Sequence, residues 1–252
     1  MALACVVPTA LALALPPAAA EPPVSPPPAL LSCRDGATAA LPAVARDALL
    51  RIGDSGRQLL ALRSYLRARD LEQRWSWSDA RIRAYAGSAE QQHAQAEVAR
   101  VQARFAADNP GYGLHVNLQV RSLDEQLRKW NGNASVGAAA SALSEEAAGV
   151  CAHVAADFAG WLRAWAPPSP VNLAAPGLSP HGQGRAYDFQ VMQGERLVAG
   201  TDSGRAEIDW IDAGWASRLV AAMRDSGARF EGPLRSPSEP WHYAYVPVES
   251  AQ

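Results

Sequence analysis

Residues 179–200 read SPHGQGRAYDFQVMQGERLVAG, and the second half of that stretch sets the fold class. Tyr187, Phe189 and Val191 alternate with Asp188 and Gln190, the period-two pattern of a half-buried strand. A Gln-Gly turn then leads into a second strand, which makes a hairpin. ARFEGP (228–233) and PWHYAYVP (240–247) read as further short strands, and HVNLQV (115–120) alternates in the same way. Helices lie between them. SLDEQLRKW (122–130) is one, and a long one carries Val150, Val154, Phe158, Trp161 and Trp165 on a single stripe until APPSP (166–170) ends it. DAGWASRLVAAMRDSG (212–227) is another, with Asp212 as N-cap and Gly227 beyond its end. Short strands interleaved with helices predict an α+β fold with a small antiparallel sheet and flanking helices.

The rest of the chain prepares for that domain. Residues 1–20, MALACVVPTALALALPPAAA, are apolar and uncharged and end in three alanines. They fit the h-region and cleavage site of a signal peptide, although the positive n-region is missing. An apolar tail is the bland alternative, and Cys5 faintly hints at a lipid anchor. Residues 21–32, with EPPVSPPPAL at 21–30, read as a proline-rich linker. Residues 33–110 read as a helical extension. Leu59, Leu62 and Leu66 recur at helical spacing, as do Ala94, Val98, Val101 and Phe105, before NPG (109–111) breaks the run. His93 falls on a solvated face. Residues 111–252 form the remaining domain.

Composition excludes some functions. A net charge of −2 over 252 residues gives no basic footprint for nucleic acid. No apolar run reaches the roughly 20 residues of a transmembrane helix. Once a signal is removed, Cys33 and Cys151 remain, and two cysteines in an exported chain imply one disulfide. Two free buried thiols are the alternative.

Alternation also sorts the polar residues by face. Asp188 lies opposite Tyr187, Phe189 and Val191, and His242 lies opposite Trp241, Tyr243 and Tyr245. On 115–120 and beyond, Leu118 and Val120 take the core side, leaving Asn117, Gln119 and Arg121 opposite. If those faces coincide, His181, Asp188, His242 and Arg121 converge with Glu239. Two histidines and a carboxylate are the protein ligands of a catalytic zinc (Zn2+), whose fourth position is left to water. A carboxylate that is not a ligand, here Glu239, can take a proton from that water and pass it to a leaving amine. Arg121 can hold a substrate carboxylate or a developing oxyanion. Taken singly, a histidine in an aromatic strand is packing and Arg121 is a surface charge.

Taken together, these segments carry a resemblance. SPHGQGRAYD (179–188) resembles the Ser-x-His-x-x-Gly-x-Ala-x-Asp motif of the zinc D-alanyl-D-alanine carboxypeptidase family, which has a hedgehog-like fold. EPWHYAY (239–245) resembles that family's Glu-x-Trp-His segment, and VRSLDEQ (120–126) its Tyr-Arg-Ser-x-x-x-Gln element. The order is the family's, over roughly residues 112–247. The resemblance implies that His181, Asp188 and His242 bind zinc, that Glu239 is the base and that Arg121 stabilises substrate or transition state. Ser179 and Gln126 become substrate-binding or supporting residues. Val120 stands where the family has an aromatic, and residues 34–108 lie largely outside the match.

The implied activity is that of an exported D,D-carboxypeptidase acting on peptidoglycan stem peptides in the periplasm or cell envelope. A cross-link endopeptidase with the same machinery is one alternative. A zinc-stabilised cell-wall binding module without turnover is another, although such a module needs neither Glu239 nor Arg121. The oligomeric state is open.

Overall fold

The computed structural model describes residues 28–154 and 157–247. The signal-peptide reading of 1–20 lies outside the described residues, as does 21–27 of the linker. Residues 28–32 are not linker. They begin helix α1 (Pro28–Thr38), whose Leu30 is buried. Helices α2 (Ala43–Leu50), α3 (Ser55–Arg67), α4 (Asp79–Tyr85) and α5 (Ala89–Asp108) follow. Asp54, Ser78 and Ser88 start α3, α4 and α5, each side chain accepting a hydrogen bond from a backbone N–H three residues on.

The class is α+β, with a five-stranded antiparallel sheet. Its strands are β1 (Gly113–Val116), β2 (Ala186–Gln193), β3 (Arg196–Ala199), β4 (Phe230–Glu231) and β5 (His242–Tyr245). Strand β2 is the hub. It pairs with β5 through residues 186–188, and with β1 and β3 through its second half. The predicted hairpin is β2–β3, with Gly194 supplying the positive φ of +59° that its tight turn requires. Tyr187, Phe189 and Val191 are buried, as are Trp241, Tyr243 and Tyr245.

Three local expectations fail. Strand β1 ends at Val116, because the Asn117 side chain accepts a hydrogen bond from the Gln119 N–H and turns the chain out of the ladder. Arg121 is therefore on a loop, not a strand. The long helix is two, α7 (Ala134–Val154) and α8 (Phe158–Ala164), separated around Asp157, whose φ of −125° is not helical. Asp212 does not cap α9 (Trp215–Ser226). It ends a preceding π-helical turn, and left-handed Gly214 occupies the cap position. Gly227 closes α9 in the left-handed conformation, as its sequence position implies.

Two hydrophobic cores result. Helices α1–α3 pack with α6 (Leu123–Gly132), α7 and α8 in the first; α5 and α9 cover the sheet in the second. The packing crosses the boundary drawn at residue 110. Leu59 and Leu62 join the helical core, whereas Ala94, Val98, Val101 and Phe105 join the sheet core. A Cys33–Cys151 disulfide ties α1 to α7 across 118 residues of sequence. No described helix is long and apolar enough to cross a membrane.

Candidate metal centre

The first histidine is held by a turn. Ser179 leads into a 3-10 turn over Pro180–Gln183, with proline at its first position and Gly184 closing it at φ +61°. Gly184 is there for conformation, since that left-handed φ is one that residues with a Cβ rarely adopt. Gly182 is there for space. A Cβ on it would lie 2.0 Å from Ser76 Oγ and 2.7 Å from Gln126 Nε2. The segment before α4 clamps the same turn: the Trp77 N–H donates to the Gly182 carbonyl at 2.9 Å, and the Ser76 N–H to the Gly177 carbonyl at 2.8 Å. Gln183 donates back to the carbonyls of Gln73 and Trp75, both at 2.8 Å. His181 is consequently buried, and its own carbonyl accepts the Arg121 N–H at 3.1 Å.

Asp188 and His242 come from neighbouring strands. They are direct cross-strand partners in the β2–β5 ladder, so their side chains leave the same face of the sheet side by side. That face meets the His181 turn. His242 Nδ1 lies 2.9 Å from Asp188 Oδ1, His181 Nε2 lies 3.3 Å from Asp188 Oδ2, and the two ring nitrogens are 3.3 Å apart. Ligand atoms at tetrahedral corners about 2.0 Å from a metal are roughly 3.3 Å apart, so the observed edges lie at or just inside that value. His181, Asp188 and His242 form a group that could hold a metal ion.

The electrostatics agree with that chemistry. Burial pushes the Asp188 carboxyl up, but hydrogen bonds and charge from His181 and His242 outweigh it and hold the group well below the usual carboxylate range. Burial lowers His181, against the opposing pull of Asp188, and so favours the neutral imidazole that a metal ligand must be.

Glu239 and Arg121 flank the trio. Glu239 Oε2 lies 3.8 Å from His242 Nδ1, and Arg121 Nη2 lies 3.6 Å from Asp188 Oδ2. A loop closed on itself sets Glu239: its N–H donates to the Leu234 carbonyl, while its own carbonyl accepts the His242 N–H. Burial raises the Glu239 carboxyl, with His242 pulling it down and Asp188 adding to the rise. All five residues line one cleft of about 560 Å³, together with Ser179. Gln126 lies behind it. The Gln126 amide donates to Ser76 Oγ and the Arg121 carbonyl and accepts the Gly177 N–H, so it positions the turn and is spent on the protein itself. Ser76, Trp77 and Gln183 are functional supports that sequence reasoning missed; GQG at 182–184 was the sole local signal of a crowded turn.

No protein-family model, no curated protein and no solved structure matches this chain. The class of protein therefore rests on the site: a half-buried His-Asp-His trio at the rim of a small antiparallel sheet, with a carboxylate and a guanidinium beside it.

Proposed function

We propose that the chain is an exported zinc metallopeptidase that hydrolyses peptidoglycan stem peptides as a D-alanyl-D-alanine carboxypeptidase. One observation carries this reading. Three segments that resemble the peptidase motifs, more than 50 residues apart in sequence (Arg121, His181 and His242), meet at one cleft. His181, Asp188 and His242 would hold the zinc. Two neutral imidazoles and one carboxylate match its preference for nitrogen and oxygen donors. When bound, zinc supplies Lewis acidity, which makes water a nucleophile near neutral pH and polarises a carbonyl.

The protein's own residues supply the remainder. Glu239, which stands beside the group that could hold a metal and is not one of its three members, accepts a proton and returns it to the departing amine nitrogen. Its raised pKa suits that return. The Arg121 guanidinium faces the same space and offsets negative charge that develops on the substrate oxygen. Trp241 and Leu234 form part of the wall against which the peptide lies. The disulfide supports an oxidising compartment, and so export.

Digestion of purified sacculi by the metal-loaded protein, followed by mass analysis of the fragments, tests this. Loss of one alanine per stem peptide is the expected result. Cleaved dimers would make it a cross-link endopeptidase, and unchanged fragments would leave a binding module.

A further inference from the structure

Three cationic side chains line the cleft: Arg74, Arg121 and Lys129. Arg121 is engaged with Asp188, and Lys129 lies 3.8 Å from Glu125 on its own helix. Arg74 differs from both. Among the described residues its guanidinium has no ion-pair or hydrogen-bond partner. Yet its backbone is fixed. Gln183, two residues after His181, donates to the carbonyls on either side of it, at Gln73 and Trp75. The same turn that presents His181 therefore pins residue 74 at the edge of the metal site. Residue 74 belongs to the helical part of the chain, outside the segments that resemble peptidase motifs.

An arginine whose head is unpaired while its main chain is anchored is a prepared donor. The guanidinium fork matches a carboxylate in a bidentate geometry, and the anchored main chain keeps this exposed side chain within reach of the cleft, so that binding has to order only the side chain itself. Lys129 adds positive potential on the α6 wall of the same cleft. The carboxylates that line the cleft are committed elsewhere or lie at the trio: Asp202 accepts the Gly204 N–H, and Asp188 and Glu239 surround the histidines.

We infer that Arg74, assisted by Lys129, forms an anion subsite that binds a carboxylate of the peptide substrate away from the scissile carbonyl. The assignment of a peptide rests on the peptidase reading above; the subsite itself does not require turnover. The carboxylate has two possible sources, the chain terminus or an acidic side chain further back. Either would make substrates with that group free better ligands than their amides.

The test uses the metal-loaded full chain and three dye-labelled synthetic pentapeptides ending in D-alanyl-D-alanine. One carries a free side-chain carboxylate at its third residue, the second has that group as a carboxamide, and the third has an amidated C-terminus. Kd is read by fluorescence anisotropy and KM and kcat by initial rates. Arg74→Gln should raise Kd and KM for the fully acidic peptide about tenfold, with little change in kcat. One of the two amidated peptides should bind wild type more weakly and be indifferent to the substitution, which names the source. Arg74→Lys should recover part of the loss. An equal effect of Arg74→Gln on all three peptides, or no effect on any, overturns the subsite. If wild type binds the acidic peptide but cleaves none, the peptidase reading falls, and the anisotropy series still decides the subsite. If wild type binds none of the three, the subsite falls as well.

Discussion

Gly182 and Ser76 are packed so closely that a Cβ on the glycine would sit 2.0 Å from the serine hydroxyl oxygen and 2.6 Å from its Cβ. The contact joins the turn bearing His181 to a segment more than 100 residues earlier in the chain. The His181 turn is thus shaped by the helical part of the protein.

Gly182→Ala should therefore displace the His181 turn. Overpacking a filled interior costs about 1–3 kcal/mol, and a shifted ligand should weaken metal binding about tenfold or more. Denaturant unfolding and metal competition measure the two effects separately. Gly182→Ala with unchanged metal affinity would mean that the turn tolerates a shift away from Ser76. Combining it with Ser76→Gly should restore part of both losses, because contacting sites are non-additive.

The Cys33–Cys151 disulfide closes a long loop within the helical core and stays clear of the sheet. Replacing both cysteines by alanine should lower stability by about 2–5 kcal/mol while leaving metal content at its wild-type level. Unfolding curves with and without the bond check the first part, and metal analysis of the refolded variant checks the second. A variant as stable as wild type would remove the bond from the list of structural supports.

Arg121→Ala separates chemistry from folding. The side chain leaves a loop, is about one-fifth exposed and contacts Asp188 at 3.6 Å. Its backbone N–H, which fixes the His181 carbonyl, survives the substitution. Removing one charged transition-state donor should lower kcat/KM about 10²–10³-fold, with a small shift in the unfolding midpoint. Unchanged turnover, or a protein that simply unfolds, would take Arg121 out of the site.

What the sequence reveals follows from how local each signal is. The faces of β2 and β5 were readable because Tyr187, Phe189, Val191, Trp241, Tyr243 and Tyr245 alternate with polar neighbours over a few residues, which put Asp188 and His242 on the faces away from the core; their pairing side by side comes from the β2–β5 register, which no local pattern reveals. The loop carrying Arg121 was misread as strand. The apolar–polar rhythm of 115–120 continues past Val116, while the Asn117 side chain, which competes for backbone hydrogen bonds, ends the ladder. The break near Asp157 is equally invisible to a stripe of apolar residues, since periodicity reports which side is buried and not whether the axis is straight. Gln126 and Ser76 lie 50 residues apart and meet only in the fold. The pairing of Cys33 with Cys151 was legible only through the reading of an exported chain that has lost Cys5 with its signal peptide.

Glu239 and the two histidines proposed as metal ligands should fail in different ways, and that difference tests the mechanism. Glu239 sits 3.8 Å from His242 Nδ1, whereas the trio's own atoms are 2.9–3.3 Å apart. Its loop is fixed by backbone hydrogen bonds at Leu234 and His242, so its geometry does not depend on binding a metal. Glu239→Gln keeps the side chain's shape and its contacts but cannot carry a proton. The variant should retain about one equivalent of zinc and lose roughly 10²–10⁴ in rate, the usual worth of a general base. His181→Ala and His242→Ala should instead lose the metal, because each removes one donor from a site that has three. Metal content and turnover measured side by side on the three variants separate these outcomes. Zinc loss in Glu239→Gln would make the glutamate a ligand, and wild-type turnover in it would put the base elsewhere in the cleft.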